Sequence, residues 1–257
     1  MIGVPGLSGN VAHFDVLGQR LRAPMQLVAV DLRGRGRSDC TGPGSYGWER
    51  HAVDVCAVAT ELGADRFSIV GQSMGGSVAM KAAELDGDRL VAIVLVDVAG
   101  RVDPGVGPVI ASTLGRLGRT YDTEDAYLDD VLAAGLIDEW TPHWDAAHRY
   151  DLVEVDGRFR SRASTEAVAE DRAFTATQDP YVRWRYLSMP TLLVRATREL
   201  RPGSGLVVPA DDRDAFVAAV PSAEVVEIDA NHVTVNVHPD AMDAIEQFLR
   251  ATAAVEG

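Results

Sequence analysis

Short runs rich in Val, Ile and Leu alternate with amphipathic segments along most of the chain, and this alternation constrains the fold most strongly. Such runs are typical of parallel strands that are buried on both faces of a sheet. The predicted strands are 26–32, 66–72, 90–98, 190–196 and 223–229. The predicted helices, with apolar residues at helical spacing, are 49–62, 74–85, 211–220 and 239–251. The repeated order of strand and helix predicts an α/β fold with a mostly parallel sheet flanked by helices.

The alternation stops between residues 101 and 187. This stretch holds three of the four tryptophans and five of the six tyrosines. It opens with a Gly- and Pro-rich loop, and residues 123–140 then have the pattern of a helix with a threonine cap. We therefore predict a helical cap, or lid, at 101–187 on a core formed by 1–100 and 188–257. The alternative is a helical subdomain that only packs against the core.

Length and charge narrow the classes of partner. A chain of 257 residues is enough for one main domain with an insertion. Its formal net charge of −14 makes nucleic acids and anionic membrane surfaces poor partners. The N-terminus lacks the pattern of a signal peptide and no apolar run is long enough to cross a bilayer, so we expect a cytoplasmic protein. Cys40 and Cys56 are expected to be free thiols, because they have no paired metal-ligand spacing.

Residues 71–75, Gly-Gln-Ser-Met-Gly, follow a predicted strand and precede a predicted helix. A serine on so sharp a turn has a strained backbone, and glycines two positions either side let the chain pass closely without Cβ clashes. The turn brings the Ser73 hydroxyl to a helix N-terminus, whose free N–H groups favour developing negative charge. A plain glycine-rich turn is the alternative, but the strand–turn–helix context favours Ser73 as a nucleophile.

A serine nucleophile needs a base to remove its proton, so one of the six histidines is expected to serve it. His232 lies in the loop between the last predicted strand and the last predicted helix, at the same end of the sheet as Ser73. His238 precedes a proline and is expected to shape the start of the final helix. The remaining histidines lie in helix-like or cap segments: His13, His51, His143 and His148. We predict His232 as the base.

Two acids that follow predicted strands compete to orient the histidine. Glu199 is the first acid after the penultimate strand, where this architecture places the third member of such a triad. Asp97 also ends a strand on the same side of the sheet. We predict Glu199 and keep Asp97 as the alternative.

Four landmarks in one order resemble the α/β-hydrolase superfamily over almost the whole chain. GVPGLSGNVAHFDVL is similar to its oxyanion loop, and VAVDLRGRGRSD is similar to the loop segment that usually reads D-x-R-G-x-G-x-S. GQSMGG resembles the nucleophile elbow, while PTLLVRATRE and DANHVTVNVHP occur where the acid and the histidine are expected. The order serine, acid, histidine also matches the superfamily.

The resemblance implies an oxyanion hole made by the backbone N–H groups of Met74 and Leu7, and it implies no metal and no organic cofactor. This chain has Pro5-Gly6 where most members have His-Gly, which removes a bracing side chain but keeps the backbone donors. The chain also begins almost at this loop, so the two N-terminal strands usual in the superfamily are expected to be missing.

The predicted activity is that of a carboxylesterase-like serine hydrolase acting on a small, largely apolar acyl substrate: an ester, a thioester or a lactone. Trp140 and Trp144 from the cap, with Val233 beside the histidine, are expected to line the substrate pocket. The protein is expected to be a monomer or a homodimer. Alternatives are a C–C bond hydrolase, a cofactor-free haloperoxidase-like enzyme and, from another class, a non-catalytic ligand-binding protein with this fold.

Overall fold

A six-stranded parallel sheet forms the centre of the protein in the computed structural model, which describes residues 1–254. Its strands are β1 Ile2–Val4, β2 Val28–Ala29, β3 Phe67–Gln72, β4 Leu90–Val96, β7 Thr191–Ala196 and β8 Ala223–Ile228. Their order across the sheet is β2-β1-β3-β4-β7-β8. The predicted α/β class with a mostly parallel sheet is confirmed. The sequence analysis did not predict β1, and the predicted strand 26–32 is reduced to Val28–Ala29.

Helices cover both faces of this sheet, as the amphipathic pattern predicts. On one face pack α2 Trp48–Glu61, α3 Met74–Asp86 and α8 Ala210–Ala219, and on the other α1 Asp15–Arg20 and α9 Pro239–Ala254. Ile245 on α9 and Val55 on α2 are fully buried on opposite faces. Burial of a side chain of this size contributes about 2 kcal/mol, so the two apolar layers fix the helices on the sheet. No helix within residues 1–254 is both long and apolar enough to span a bilayer.

The segment predicted as a helical cap contains four helices and a β-hairpin. The helices are α4 Val106–Leu114, α5 Glu124–Ala133, α6 Pro142–Tyr150 and α7 Thr165–Ala176, and a 3-10 helix follows at Pro180–Tyr186. The hairpin pairs β5 Leu152–Val155 with β6 Arg158–Ser161 in antiparallel fashion. Asp156 and Gly157 both have positive φ, 52° and 74°, which suits a tight two-residue turn between twisted strands. The division of the chain into core and cap stays a prediction.

Parallel strands place the residues that follow them at one edge of the sheet. Ser73 follows β3, Asp97 follows β4, and the loop that carries His232 follows β8. Because β3 and β4 are direct neighbours in the sheet, Ser73 and Asp97 lie at the ends of adjacent strands. The candidate site is therefore built at the carboxyl edge of the sheet.

Candidate active site

Ser73 occupies a strained turn between β3 and the first residue of α3. Its backbone has φ 52° and ψ −121°, in the region that favours glycine, and its N–H donates to the carbonyl oxygen of Val96 at 3.0 Å. A Cβ on Gly75 would lie 2.0 Å from the carbonyl oxygen of Val4, and one on Gly71 would lie 2.4 Å from that of Gly75. The two flanking glycines are thus required by close backbone approach, for the reason that the sequence motif suggests.

His232 connects Ser73 to a buried carboxylate. Its Nε2 lies 2.9 Å from the Ser73 Oγ, and its Nδ1 lies 2.8 Å from the Asp97 Oδ2. The other Asp97 oxygen accepts a hydrogen bond from the backbone N–H of Ala196 at 2.9 Å. With Nδ1 donating to Asp97, the Nε2 lone pair faces the serine hydroxyl, which is the arrangement that a general base requires.

The acid preferred in the sequence analysis, Glu199, does not take part in this arrangement. Its side chain is exposed, and its two oxygens accept hydrogen bonds from the backbone N–H groups of Gly203 at 2.6 Å and Gly205 at 3.0 Å. These bonds close the loop that follows β7. The structure therefore brings the alternative acid, Asp97, to His232, and Glu199 serves its own loop.

Leu7 and Met74 line the same cavity as Ser73, and their backbone N–H groups have no acceptor among the described residues. Met74 is the first residue of α3, and within the described residues neither its N–H nor that of Leu7 donates to another protein atom. The N–H of Gly6, in contrast, donates to the Gln72 Oε1 at 2.9 Å. The Leu7 N–H is thus unbonded where the Gly6 N–H is not, and the pair Leu7 and Met74 as oxyanion donors stays a prediction.

Gln72 braces the oxyanion loop, a role that the sequence analysis missed. It precedes Ser73 and is 9% exposed, and its side-chain oxygen accepts a hydrogen bond from the loop that contains Pro5 and Gly6. The loop has no histidine side chain at Pro5, and the amide of Gln72 supplies a brace in its place. The only sequence signal for this role was an amide side chain directly before Ser73.

A buried ion pair holds the same loop against helix α7. The Arg35 guanidinium donates to the Leu7 carbonyl oxygen at 2.9 Å and to the Asp171 carboxylate at 2.6 Å, and both charged side chains are at most 1% exposed. Asp171 also bonds His51 and the N–H of Gly47. Burial raises the pKa of Asp171, but its bonds to His51 and Arg35 outweigh burial and hold that pKa below its usual value. One buried carboxylate thus ties α7 to the oxyanion loop.

A cavity of about 680 Å³ opens beside the serine. Ser73 and His232 line it together with apolar side chains from the core and the 101–187 segment, among them Leu7, Ile110, Leu114, Leu136, Leu200 and Val207. Of the predicted pocket residues, Trp144 and Val233 line the cavity, whereas Trp140 does not. Trp140 stacks behind the wall on His148, with ring centroids 5.6 Å apart and planes at 11°. The expectation that Trp140 lines the pocket is therefore wrong, because the ring of His148 lies at the cavity and Trp140 stacks on that ring.

Two histidines in the cavity wall are held neutral. Burial, followed by the charges of His143 and Arg116, lowers the pKa of His13 to about 4. Burial and the nearby Arg116 lower the pKa of His148 to about 3. Because burial, helped by the charge of Arg116, keeps both rings neutral, the positive charge at this wall is carried by Arg116 and not by imidazolium groups.

Metal ligands and paired thiols are not assembled near the site. Across residues 1–254, His, Cys, Asp and Glu side chains do not gather in groups of three or more that could hold a metal ion. Cys40 and Cys56 are free cysteines, the former exposed.

Comparison with known proteins yields one family match over nearly the whole chain. The model of the Alpha/beta hydrolase family matches residues 1–245. N-formylmaleamate deformylase of Pseudomonas putida is 34% identical over 97 residues, 38% of this chain and 36% of that protein. The sn-1-specific diacylglycerol lipase of Mus musculus is 27% identical over 95% of this chain and 78% of that protein. The deformylase match thus spans about a third of that relative.

Solved structures share the fold at low sequence identity. The crystal structure of E-2-(acetamidomethylene)succinate hydrolase has a TM-score of 0.86 and 24% identity, covering 97% of this chain and 91% of that one. The N-formylmaleamic acid deformylase from Pseudomonas putida S16 has a TM-score of 0.70 and 20% identity, covering 95% and 90%. These likenesses support the architecture of the sheet and its helices.

Proposed function

Because the chain belongs to the alpha/beta hydrolase family, we propose that it is a serine hydrolase that cleaves a small acyl substrate through Ser73, His232 and Asp97. The observation that carries the proposal is the unbroken line of hydrogen bonds from the Asp97 carboxylate through both ring nitrogens of His232 to the Ser73 hydroxyl. The proposal replaces Glu199 by Asp97 as the acid of the triad.

The proposed reaction has two halves. In the first, the Ser73 Oγ attacks the substrate carbonyl carbon while the Nε2 of His232 takes the hydroxyl proton. The N–H groups of Met74 and Leu7 bind the oxygen of the tetrahedral intermediate. The intermediate collapses to the acyl-enzyme, and His232 returns the proton to the leaving group.

In the second half, water replaces the leaving group. His232 removes a proton from the water as its oxygen attacks the acyl carbon, and the proton then goes to the Ser73 oxygen as the acid is released. Asp97 accepts from the Nδ1 of His232 and holds the imidazole in one orientation throughout. The residue is 1% exposed, and within residues 1–254 its carboxylate bonds the Ala196 N–H and His232 and nothing else, which favours this role.

The scissile bond is proposed to be an ester, a thioester or a lactone. An ester substrate agrees with the name of the diacylglycerol lipase relative, while the deformylase relative is named for removal of a formyl group from nitrogen. A second candidate is therefore cleavage of a C–N bond, for which His232 would protonate a leaving amine. Turnover of aryl esters compared with N-formyl amides separates the two.

Labelling with a fluorophosphonate tests the nucleophile. Wild-type protein is expected to form one adduct, located by mass spectrometry on the peptide that contains Ser73, and Ser73→Ala is expected to form none. Ser77 offers a matched control, because it lines the same cavity one turn further along α3. Ser77→Ala should still label, and heat-denatured wild type should not. Folded wild-type protein that stays unlabelled would contradict the proposal.

A further inference from the structure

Four polar atoms in the wall of the cavity are buried without a hydrogen-bond partner among residues 1–254. They are the Arg116 Nε, the His13 Nδ1, the His148 Nε2 and the Asp151 Oδ1, and all four residues line the cavity that also contains Ser73. Buried polar groups in proteins are nearly always paired, so a cluster of unpaired ones on a ligand cavity indicates a place where a ligand supplies the partners. We call these four residues the polar wall.

Arg116 is the fixed charge of the polar wall. It follows α4, and its Nη1 donates to the carbonyl oxygen of Thr113 at 2.8 Å. It forms no ion pair with any carboxylate among the described residues. Its charge acts on both His13 and His148, and all three residues line the same cavity. A guanidinium held this way retains donors for a ligand anion.

Asp151 limits the charge of that anion. Its Oδ2 accepts hydrogen bonds from the Tyr127 hydroxyl at 2.9 Å and the Ser161 hydroxyl at 2.6 Å, and the residue is 4% exposed. Burial raises the pKa of Asp151, and its hydrogen bonds to Ser161 and Tyr127 and the nearby charge of Arg116 offset part of that rise. One arginine next to one carboxyl group suits a singly charged carboxylate and disfavours a phosphate dianion.

The charged residues that line the cavity also favour a bound anion. Its lining carries three arginines, Arg101, Arg116 and Arg172, against two aspartates. One of the aspartates, Asp97, is already committed to His232. Arg101 and Arg172 are exposed, whereas Arg116 is half-buried. In a chain of formal net charge −14, a cavity with this excess of arginine is locally favourable to anions.

We propose that the substrate carries a free carboxylate, separate from the scissile carbonyl, which binds to Arg116 at the polar wall while the acyl carbon lies at Ser73. The neutral imidazoles of His13 and His148 each offer one N–H and one lone pair, and they can donate to the same carboxylate. The apolar lining between the polar wall and Ser73 then contacts the spacer of the substrate. This inference rests on the proposed serine hydrolase function and narrows its substrate class to ω-carboxyacyl compounds.

Kinetics with matched aryl esters test the proposal. The mono-4-nitrophenyl esters of succinic, glutaric, adipic and pimelic acid are compared with the esters in which a carboxamide of the same size replaces the carboxylate. For the spacer length with the highest turnover, kcat/KM of wild type is expected to be at least about tenfold higher for the carboxylate ester than for the carboxamide ester. A factor of this size corresponds to the free energy of one charge-assisted hydrogen bond. An equal or higher value for the carboxamide would overturn the proposal.

Variants assign the preference to Arg116. In Arg116→Gln the ratio of the two kcat/KM values is expected to fall close to one, and in Arg116→Lys to an intermediate value, because lysine keeps the charge but loses the planar fork. Arg119→Gln is the matched control, since that side chain is 59% exposed and pairs with Asp130. It should retain the wild-type ratio. An unchanged ratio in folded Arg116→Gln contradicts the assignment.

Binding separates failure of this inference from failure of the proposed function. Ser73→Ala is titrated calorimetrically with monomethyl adipate and with methyl adipamate, which needs no catalysis. Binding of monomethyl adipate but not of methyl adipamate, and loss of that binding in the double variant Ser73→Ala, Arg116→Gln, would support the polar wall. This holds even if the wild-type protein neither cleaves esters nor reacts with the fluorophosphonate. Equal binding of both ligands, or binding of neither, would overturn it.

Discussion

Replacement of Asp97 by asparagine should separate the triad acid from the rest of the fold. In the wild-type protein the Ala196 N lies 2.9 Å from the Asp97 Oδ1. An asparagine side chain keeps an oxygen that can accept this hydrogen bond, so the local backbone conformation is expected to stay the same. The atom facing His232 Nδ1 at 2.8 Å becomes an N–H donor. The imidazole must then accept at Nδ1 and carry its proton on Nε2, where it can no longer take the proton of Ser73.

The size of the effect follows from the charge that is lost. When His232 becomes an imidazolium in the transition state, a carboxylate about 4 Å away between charge centres stabilises it by about 4 kcal/mol at an effective dielectric constant of about 20. That energy corresponds to a rate factor of roughly a thousand. The wrong tautomer adds to it, so kcat of Asp97→Asn is expected to fall by about 10³ to 10⁴.

Glu199→Gln is the matched comparison, because Glu199 also follows a strand at the same edge. In the part of the chain that the structure describes, its carboxylate bonds Gly203 and Gly205 and not His232. Its kcat for an aryl ester should stay within about threefold of wild type, since an amide oxygen still accepts from the loop and no transition-state charge is lost. Circular dichroism and thermal melting establish that both variants fold. Loss of turnover in Glu199→Gln with full turnover in Asp97→Asn would refute the assignment.

Two further predictions concern the surroundings of the triad. Gln72→Ala removes the acceptor of the Gly6 N–H and should lower kcat about five- to tenfold, which corresponds to the loss of one hydrogen bond, with little change in KM. A rise in KM alone would refute this. Gln72→Glu keeps the acceptor and should recover part of kcat. The unfolding free energy should fall by a few kcal/mol from pH 6.5 to 4.5, because histidines of the unfolded chain become protonated near pH 6.5, whereas His13 and His148 in the folded protein stay neutral down to about pH 4 and pH 3. Denaturant titrations at each pH measure this fall. The double variant His13→Gln, His148→Gln should lose this pH dependence of stability.

Local patterns in the sequence were sufficient for most of the sheet and for two of the three side chains that the structure brings together at its carboxyl edge. Strands buried on both faces have to be apolar throughout, and parallel strands bring the residues after them to one edge. Ser73 and His232, 159 residues apart, could therefore be expected to lie close together from the sequence. They do so because both lie in segments that follow strands whose direction the topology fixes, while their catalytic roles stay a prediction.

Other features had a sequence signal that was not used. Asp156-Gly157 lies between LVEV and RFRS, and such a dipeptide between two short strands predicts a hairpin inside the segment interpreted as helical. The position of Trp140 had no such signal. It depends on which side of α6 and His148 the cavity lies, and this is decided by packing between elements distant in sequence.

The choice between Asp97 and Glu199 depended on hydrogen bonds that sequence patterns do not encode. Asp97 has φ 51°, close to the 52° of Ser73, and three hydrogen bonds hold it. Its N–H donates to the carbonyl oxygen of Val194, its Oδ1 accepts from the Ala196 N–H, and its Oδ2 accepts from the His232 Nδ1. A strained residue of this kind costs about 1–3 kcal/mol, so it persists only where neighbouring structure overdetermines it. Two of the three bonds come from the adjacent strand β7. The neighbouring strand thus sets the carboxylate at the imidazole, whereas Glu199, three residues beyond the end of that strand, is drawn into its own glycine-containing loop.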